Sequence, residues 1–157
     1  ARVIRNWSAV FSGVEITDIS VSGIAPAFDP VVADAAVDLG FNRPLPVGGG
    51  PWHLLDRFAP SGTRRTPLTL QYQRTEETVL HLETPSRERV KGPQSTTLTS
   101  PFGRFEMTKT AEDGATRFRS RLTLEVLTID AKDYDAFRDW LGAVERLLNA
   151  PVEVSHP

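Results

Sequence analysis

Apolar residues at helical spacing open the chain. Within residues 1–12, one side of a helix would carry four apolar side chains, Val3, Trp7, Val10 and Phe11. Gly13 follows, and glycine readily adopts the left-handed conformation that ends helices. We therefore predict a short helix over residues 1–12. Its apolar stripe is narrow, so Val3 and Trp7 are expected to contact another domain.

The next segment alternates apolar and polar residues, which is typical of a β-strand. Val14 and Ile16 share one face of such a strand. Ile19 and Val21 resume the alternation one position out of phase. A phase slip of this kind predicts a β-bulge near Asp18.

Strand patterns dominate residues 14–128 and recur once near the end of the chain. Further strands are predicted over residues 31–39, 68–72, 78–82, 96–99, 104–110, 117–126 and 152–154. The polar residues 74–77 and the segment 85–93 are interpreted as connections. Glu112-Asp113-Gly114 is interpreted as a hairpin turn, because Asp-Gly tolerates positive φ.

Glycine and proline interrupt the pattern between residues 40 and 67. This stretch holds the triplet Gly48-Gly49-Gly50 and several prolines, so we predict a long irregular connection. One short helical turn is expected at Trp52–Leu55. The glycine triplet lacks the lysine and hydroxyl residue of a phosphate-binding loop.

An amphipathic helix is predicted over residues 130–149. Its apolar face repeats at spacings of three and four and comprises Tyr134, Phe137, Leu141, Val144 and Leu148. Asp130 is a suitable N-cap, and Pro151 follows the helix end. Trp140 lies beside the apolar face and is therefore a candidate for contact with another domain.

These elements predict one mainly β domain spanning residues 1–157. About seven or eight antiparallel strands are typical of a sandwich of the immunoglobulin or fibronectin kind. The helix over residues 130–149 is expected to cover a sheet edge or an open end of the sandwich. The first residue is Ala1 rather than methionine, so we expect a processed protein or a fragment of a longer one.

Composition narrows the range of functions. The formal net charge of −2 gives no electrostatic reason to expect nucleic acid as a partner. No apolar run approaches the roughly 20 residues of a membrane-spanning helix. The chain has no cysteine, so it has no disulfide, thiolate metal site or cysteine nucleophile.

The titratable residues form no recognisable catalytic or metal-binding pattern. His53, His81 and His156 are far apart in sequence, and none has a second ligand at metal-binding spacing. The adjacent Glu76 and Glu77 are interpreted as a solvated turn. No nucleophile elbow of the form G-x-S-x-G occurs. We therefore predict no catalytic residue, no cofactor and no metal, and expect that the chain is not an enzyme.

Two groups of residues could still take part in ligand binding. Arg117, Arg119 and Arg121 form a basic row on one strand face, which could bind phosphate or carboxylate groups. A solvated face balanced by acidic residues on neighbouring strands is the favoured interpretation. Trp52 and Trp140, with Trp7, could form a sugar-stacking platform, although packing is favoured for Trp7.

The chain also carries a series of short motifs. They are Phe11-Ser12-Gly13-Val14-Glu15, Arg64-Arg65-Thr66-Pro67-Leu68, Glu76-Glu77-Thr78-Val79, Ser100-Pro101-Phe102-Gly103-Arg104-Phe105-Glu106, Leu122-Thr123-Leu124 and Asp133-Tyr134-Asp135-Ala136-Phe137-Arg138-Asp139-Trp140. In this order and spacing the chain resembles the C-terminal region of large bacterial transglutaminase-like proteins. The resemblance spans nearly the whole chain.

The resemblance implies that catalysis belongs to a domain other than this one. Such proteins carry an N-terminal β domain, a papain-like transglutaminase core and a C-terminal β-sandwich. The chemistry of the core requires a Cys-His-Asp constellation, and no catalytic residue carries over to a chain without cysteine. The resemblance implies a non-catalytic accessory domain that packs against or positions a core in the same or a companion chain. It also implies a periplasmic or cell-envelope location.

Two other functions stay open at this point. A free-standing module that binds carbohydrate or peptide would use an exposed tryptophan platform or an open strand edge. An unrecognised hydrolase would need a cleft that joins His53 or His81 with a serine and a carboxylate.

Overall fold

A computed structural model gives the structure of the protein. It describes residues 15–22, 32–38, 44–71, 73–84, 89–112 and 114–155. Contacts divide the chain into two units, residues 1–43 and residues 44–157, and each is considered by itself. The helix predicted over residues 1–12 lies outside the described residues, and the single domain over residues 1–157 stays a prediction.

In the first unit, strand β1 (Glu15–Ser22) pairs antiparallel with strand β2 (Val32–Asp38). Ile16 opposes Val37, but the next paired residue is Asp18, opposite Ala36. One extra residue in β1 therefore interrupts the ladder, which is a β-bulge. The bulge that the phase slip predicts is confirmed.

The second unit contains nine strands and two α-helices among the described residues. The strands are β3 (Leu45–Pro46), β4 (Leu68–Thr69), β5 (Arg74–Glu83), β6 (Arg89–Lys91), β7 (Thr96–Ser100), β8 (Gly103–Glu112), β9 (Ala115–Leu124), β10 (Thr128–Ile129) and β11 (Pro151–Ser155). The helices are α1 (Leu54–Phe58) and α2 (Tyr134–Leu148). The mainly β, antiparallel fold with a C-terminal helix is thus confirmed.

The largest sheet has four antiparallel strands in the order β5-β9-β8-β7. Strands β8 and β9 form a hairpin in which Glu112 opposes Ala115 across a two-residue turn. Gly114 in this turn has φ 77°, a value that glycine adopts without steric cost. The predicted hairpin turn is confirmed.

The four-stranded sheet has one buried and one exposed face. Along β9 the buried residues include Phe118, Leu122 and Leu124, whereas the three arginines Arg117, Arg119 and Arg121 are exposed. Strand β8 adds Phe105 and Met107, each at most 1% exposed, to the buried face. Burying each of these large side chains contributes about 1.5–3 kcal/mol of hydrophobic free energy.

A second, three-stranded sheet has the order β3-β11-β6. Gly92 lies directly after β6. A Cβ atom built on Gly92 would lie 2.9 Å from Phe118 Cζ and 3.2 Å from Val152 Cγ2. The Phe118 ring of the four-stranded sheet and the Val152 side chain of the three-stranded sheet therefore both lie close to Gly92. Two β layers facing each other across a shared core give a sandwich-like arrangement.

Helix α2 packs at one side of the four-stranded sheet. It contacts β7, an edge strand, and Phe137 meets the ring of Phe102 edge-to-face at 5.3 Å between centroids. The five residues of its predicted apolar face are all buried: Tyr134, Phe137, Leu141, Val144 and Leu148. That the helix covers a sheet edge or an open end of the sandwich stays a prediction.

The start of the helix differs from the prediction. Residues Ala131–Asp133 form a 3₁₀ turn, and the α-helix begins at Tyr134. Asp130 precedes the 3₁₀ turn and makes no capping hydrogen bond with its side chain. A tight 3₁₀ turn is a common way to enter an α-helix, and the apolar period alone does not distinguish the two.

The connection rich in glycine and proline is fastened to the end of α2. Asn149 Oδ1 accepts a hydrogen bond from the Trp52 backbone N–H at 2.7 Å, and Asn149 Nδ2 donates to the Trp52 carbonyl at 2.8 Å. Glu145 accepts a hydrogen bond from the Leu55 N–H, at the start of α1. Gly48 N–H donates to the Leu148 carbonyl. The expected helical turn is present, but α1 begins at Leu54 rather than at Trp52.

Two predicted connections contain strands. Residues 74–77 form the first part of β5, opposite residues 121–124 of β9. The segment 85–93 contains β6, which pairs with β11. Both predictions were wrong because pairing with a strand distant in sequence, and not local turn chemistry, determines the structure of these residues.

The hydrogen bonds of Asn149 predict a measurable contribution to stability. The Asn149→Ala variant should lose about 1–2 kcal/mol of unfolding free energy, since two hydrogen bonds to Trp52 disappear. Urea denaturation gives this value, and hydrogen exchange at the Trp52 amide should accelerate. The matched control is Gln94→Ala away from these contacts, expected to stay within about 0.5 kcal/mol of the parent. Equal effects of the two substitutions would contradict the assignment.

Candidate functional site

A second apolar stripe runs along α2 beside its buried face. It comprises Ala136, Trp140, Ala143 and Leu147 and is called the tryptophan stripe below. Spacings of four, three and four place these residues on one side of a helix. Ala136 is exposed and the other three are half-buried. The apolar surface of α2 thus extends beyond the face that packs on the sheets.

Trp140 is the largest member of the tryptophan stripe. Its ring lies 6.4 Å from that of Phe137, in a tilted arrangement. Its indole Nε1 is buried without a hydrogen-bond partner. A buried unsatisfied donor costs about 1–3 kcal/mol, so the apolar contacts of the ring must offset this penalty.

Of the three residues predicted to contact another domain, the structure describes only Trp140. Trp140 lies beside the buried face of α2, as its position in the sequence indicates. Val3 and Trp7 lie outside the described residues. Contact of these three residues with another domain stays a prediction.

The basic row lies on the exposed face of the four-stranded sheet. Arg119 Nη2 donates to Glu77 Oε2 on β5 at 2.9 Å. This hydrogen bond and the negative charge of Glu77 raise the pKa of Arg119 above its ordinary value. Arg117 Nη2 lies 3.4 Å from His81 Nδ1. Arg121 is in register with Glu77 on one side and with Glu106 on the other.

This exposed face is consequently a mixture of charges. Acidic residues on the neighbouring strands lie beside the arginines. This is the arrangement expected from the interpretation of the basic row as a solvated face. Arg104 Nη2 and Glu106 Oε1 form a further ion pair at 2.6 Å. Exposed ion pairs of this kind contribute little to stability. They distribute charge over the face instead of concentrating positive charge for anion binding.

Glu76 and Glu77 do not form a carboxylate pair. Adjacent residues of a strand point to opposite faces, and Glu76 lies on the other side of β5. Its Oε1 is 2.9 Å from Arg57 Nη2 and 3.0 Å from Arg74 Nε. The guanidinium carbons of Arg57 and Arg74 lie 4.9 and 5.7 Å from the centroid of the Phe58 ring, within cation–π distance. The cluster ties α1 to β5, so the interpretation of Glu76 and Glu77 as a solvated turn was wrong.

The histidines and Trp52 lie in separate places. His81 is exposed on β5, and His53 precedes α1 with its Nδ1 3.9 Å from Asp56 Oδ2. His156 lies outside the described residues. Trp52 donates its Nε1–H to the Gly48 carbonyl at 3.0 Å, so its indole is hydrogen-bonded within the segment rich in glycine and proline.

The described residues contain no cluster of three or more histidine, aspartate or glutamate side chains placed to hold a metal ion. Within the same part of the chain, no helix combines the length and the apolar character that crossing a membrane requires.

The motif Ser100-Pro101-Phe102-Gly103 forms the tight turn between β7 and β8. Ser100 Oγ accepts a hydrogen bond from the Phe102 N–H at 3.2 Å and donates to the Gly103 carbonyl at 3.3 Å. The Phe102 carbonyl accepts from the Glu125 N–H at 3.0 Å. The turn thereby presents the buried Phe102 ring to α2.

Two further residues of the short motifs, Gly103 and Tyr134, also make contacts within the fold. A Cβ atom on Gly103 would overlap the carbonyl oxygen of Thr123 on β9. Tyr134, fully buried at the start of α2, donates its hydroxyl hydrogen to the Ser61 carbonyl at 2.6 Å. These residues hold the turn, the sheet and the helix together.

Comparison with known proteins gives a family and a fold. Residues 54–154 match the family described as a domain of unknown function with solved structure, DUF3858. Because the match covers well over half of the chain, the chain belongs to this family. No curated protein matches it.

A crystal structure described as that of a "putative protease" from Parabacteroides distasonis shares the fold, with a TM-score of 0.53 at 13% identity. The similarity covers 60% of this chain and 19% of that protein, so the chain corresponds to a small part of the longer molecule.

The close approach at Gly103 predicts a strict requirement for glycine. The Gly103→Ala variant should lose about 1–3 kcal/mol of unfolding free energy, because the added methyl group forces β8 away from β9. Urea denaturation measures the loss. Gly62→Ala is the matched control, since a Cβ there meets no atom within 4 Å, and its effect should stay within about 0.5 kcal/mol. A Gly103→Ala protein as stable as the control would refute the steric argument.

Proposed function

We propose that the chain is a non-catalytic accessory domain that packs against or positions a transglutaminase-like catalytic core. One observation carries the proposal. The motif residues that resemble transglutaminase-like proteins form a turn, a strand contact and the start of a helix, as Ser100, Gly103 and Tyr134 illustrate. In this chain these residues serve internal packing and hydrogen bonding, in keeping with a domain that supplies no catalytic residue.

The composition supports the same proposal. A papain-like core requires a thiolate nucleophile, and this chain contains no cysteine. The catalytic residues of a transglutaminase-like enzyme would therefore belong to a different domain, in the same or a companion chain. The similarity to 19% of a much longer protein is in keeping with a domain that occurs beside others.

The tryptophan stripe is the surface through which the domain would contact the core. Interface centres are rich in aromatic residues and poor in charge. Trp140 provides a large ring there, and the small side chains of Ala136 and Ala143 allow a close approach by another polypeptide. The charged residues Asp135 and Asp139 of α2 are also exposed, and Asp139 borders the stripe because it lies three residues after Ala136 and four before Ala143.

The first test is the coding sequence upstream of Ala1 together with the intact mass of the native product. A transglutaminase-like core with Cys, His and Asp, in the same product or encoded beside it, is the expected result. A native product of about the 17.3 kDa of this chain, with no such core encoded nearby, would contradict the proposal. The binding module for carbohydrate or peptide would then be the better description.

The second test measures binding of the chain to the separately produced core by calorimetry. Ala136→Glu places a charge in the tryptophan stripe at an exposed position, so folding should be retained. Affinity should fall roughly tenfold or more, because burying an unpaired carboxylate in an interface is costly. Ala111→Glu makes the same exchange at an exposed position of β8 and should bind as the parent does. Equal affinities of both variants would exclude the stripe as the contact surface.

A further inference from the structure

Strand β5 is an edge strand of the four-stranded sheet. Among the described residues of the second unit its paired neighbour is β9, and the order β5-β9-β8-β7 leaves its other side without a strand. The pairing with β9 runs through ten residues without a register shift. Residues 74–83 contain no proline, glycine or lysine. Natural proteins commonly protect edge strands with bulges, prolines, lysines or inward-pointing charges. Strand β5 has no bulge, proline or lysine, but Arg74 and Glu76 on its inner side are charged and half-buried.

The charges at the beginning of β5 are already neutralised. Glu76 pairs with Arg57 and Arg74, and Glu77 pairs with Arg119. The charges therefore offer less protection against strand addition than unpaired charges would. The following residues, Thr78–Leu82, carry no carboxylate and no permanently charged group.

Val79 lies at the centre of the exposed face of β5. It is 53% exposed, the largest exposure among the large hydrophobic residues of the described chain. Glu77 and His81 flank it on the same face, two residues before and two residues after. An apolar residue between an acidic and a basic residue is self-complementary when the strand meets an antiparallel copy of itself.

We propose that β5 pairs antiparallel with β5 of a second copy of the chain, with the two-fold axis beside Val79. The two Val79 side chains then lie opposite each other. Glu77 of each copy opposes His81 of the other, so a carboxylate faces an imidazole at both ends. The backbone groups of the two edges hydrogen-bond to each other and form one continuous eight-stranded sheet.

The register follows from the residues on this face. With the axis beside Leu80, Glu77 would oppose Glu83 of the second copy, and like charges would meet. With the axis beside Thr78, Val79 would oppose Glu77. Only the axis beside Val79 joins valine to valine and Glu77 to His81 among these neighbouring registers. The proposal does not depend on the proposed accessory function.

The test is the mass of the chain in solution, measured by sedimentation equilibrium over a dilution series. We expect a reversible dimer that Val79→Lys weakens roughly tenfold or more, because a lysine on an edge strand opposes strand pairing. Thr108→Lys is the matched control, at an exposed position on the same face in the interior strand β8. Circular dichroism verifies that both variants are folded.

A charge exchange tests the register itself. His81→Glu places two carboxylates opposite each other and should weaken the dimer. Within its own chain this substitution is favourable, because the introduced carboxylate would lie beside Arg117. Adding Glu77→His in the same chain restores opposite partners across the axis and should recover dimerisation.

Three results would overturn the proposal. One is a monomer at every concentration, including a monomer that binds an extended peptide at the same edge. Another is a dimer that Val79→Lys and Thr108→Lys affect equally. The third is a double variant no more dimeric than His81→Glu alone.

Discussion

The packing of the apolar face of α2 is the interaction on which the second unit depends. Tyr134, Phe137, Leu141, Val144 and Leu148 are buried along one side of this helix. The β7–β8 turn reaches the helix through Phe102, and the glycine-rich connection reaches its end through Asn149. Without the helix and its C-terminal end, the glycine-rich connection would lose partners of its backbone hydrogen bonds, and the Phe102 ring of the turn would lose its apolar cover.

The elements that the sequence predicts well are those that local residues determine. The bulge in β1 follows from the phase slip between Ile16 and Ile19, and the β8–β9 turn follows from the positive φ of Gly114. The buried face of α2 follows from its spacing of three and four. The same periodicity places Trp140 beside the buried face, so this part of the candidate surface could be predicted. The extent of the tryptophan stripe could not, because it depends on how far Ala143 and Leu147 are buried in the structure.

The missed elements depend on partners distant in sequence. Strand β6 has three residues, too few for a period, and exists because β11 pairs with it. The polar start of β5 resembled a turn because the ion pairs of Glu76 with Arg57 and Arg74 cannot be inferred from spacing. The partner of Arg119 likewise depends on the register between β5 and β9. A propensity argument describes one segment at a time, so it cannot supply such pairings.

The central place of β11 affects how the protein folds during synthesis. This strand lies between β3 and β6, and it follows every other element of the unit in the chain. Neither neighbour can find its partner until residues 151–155 have left the ribosome. Contacts of such high sequence separation slow folding. Until then the Val152 side chain, which lies close to Gly92 beside the Phe118 ring, is missing from the core.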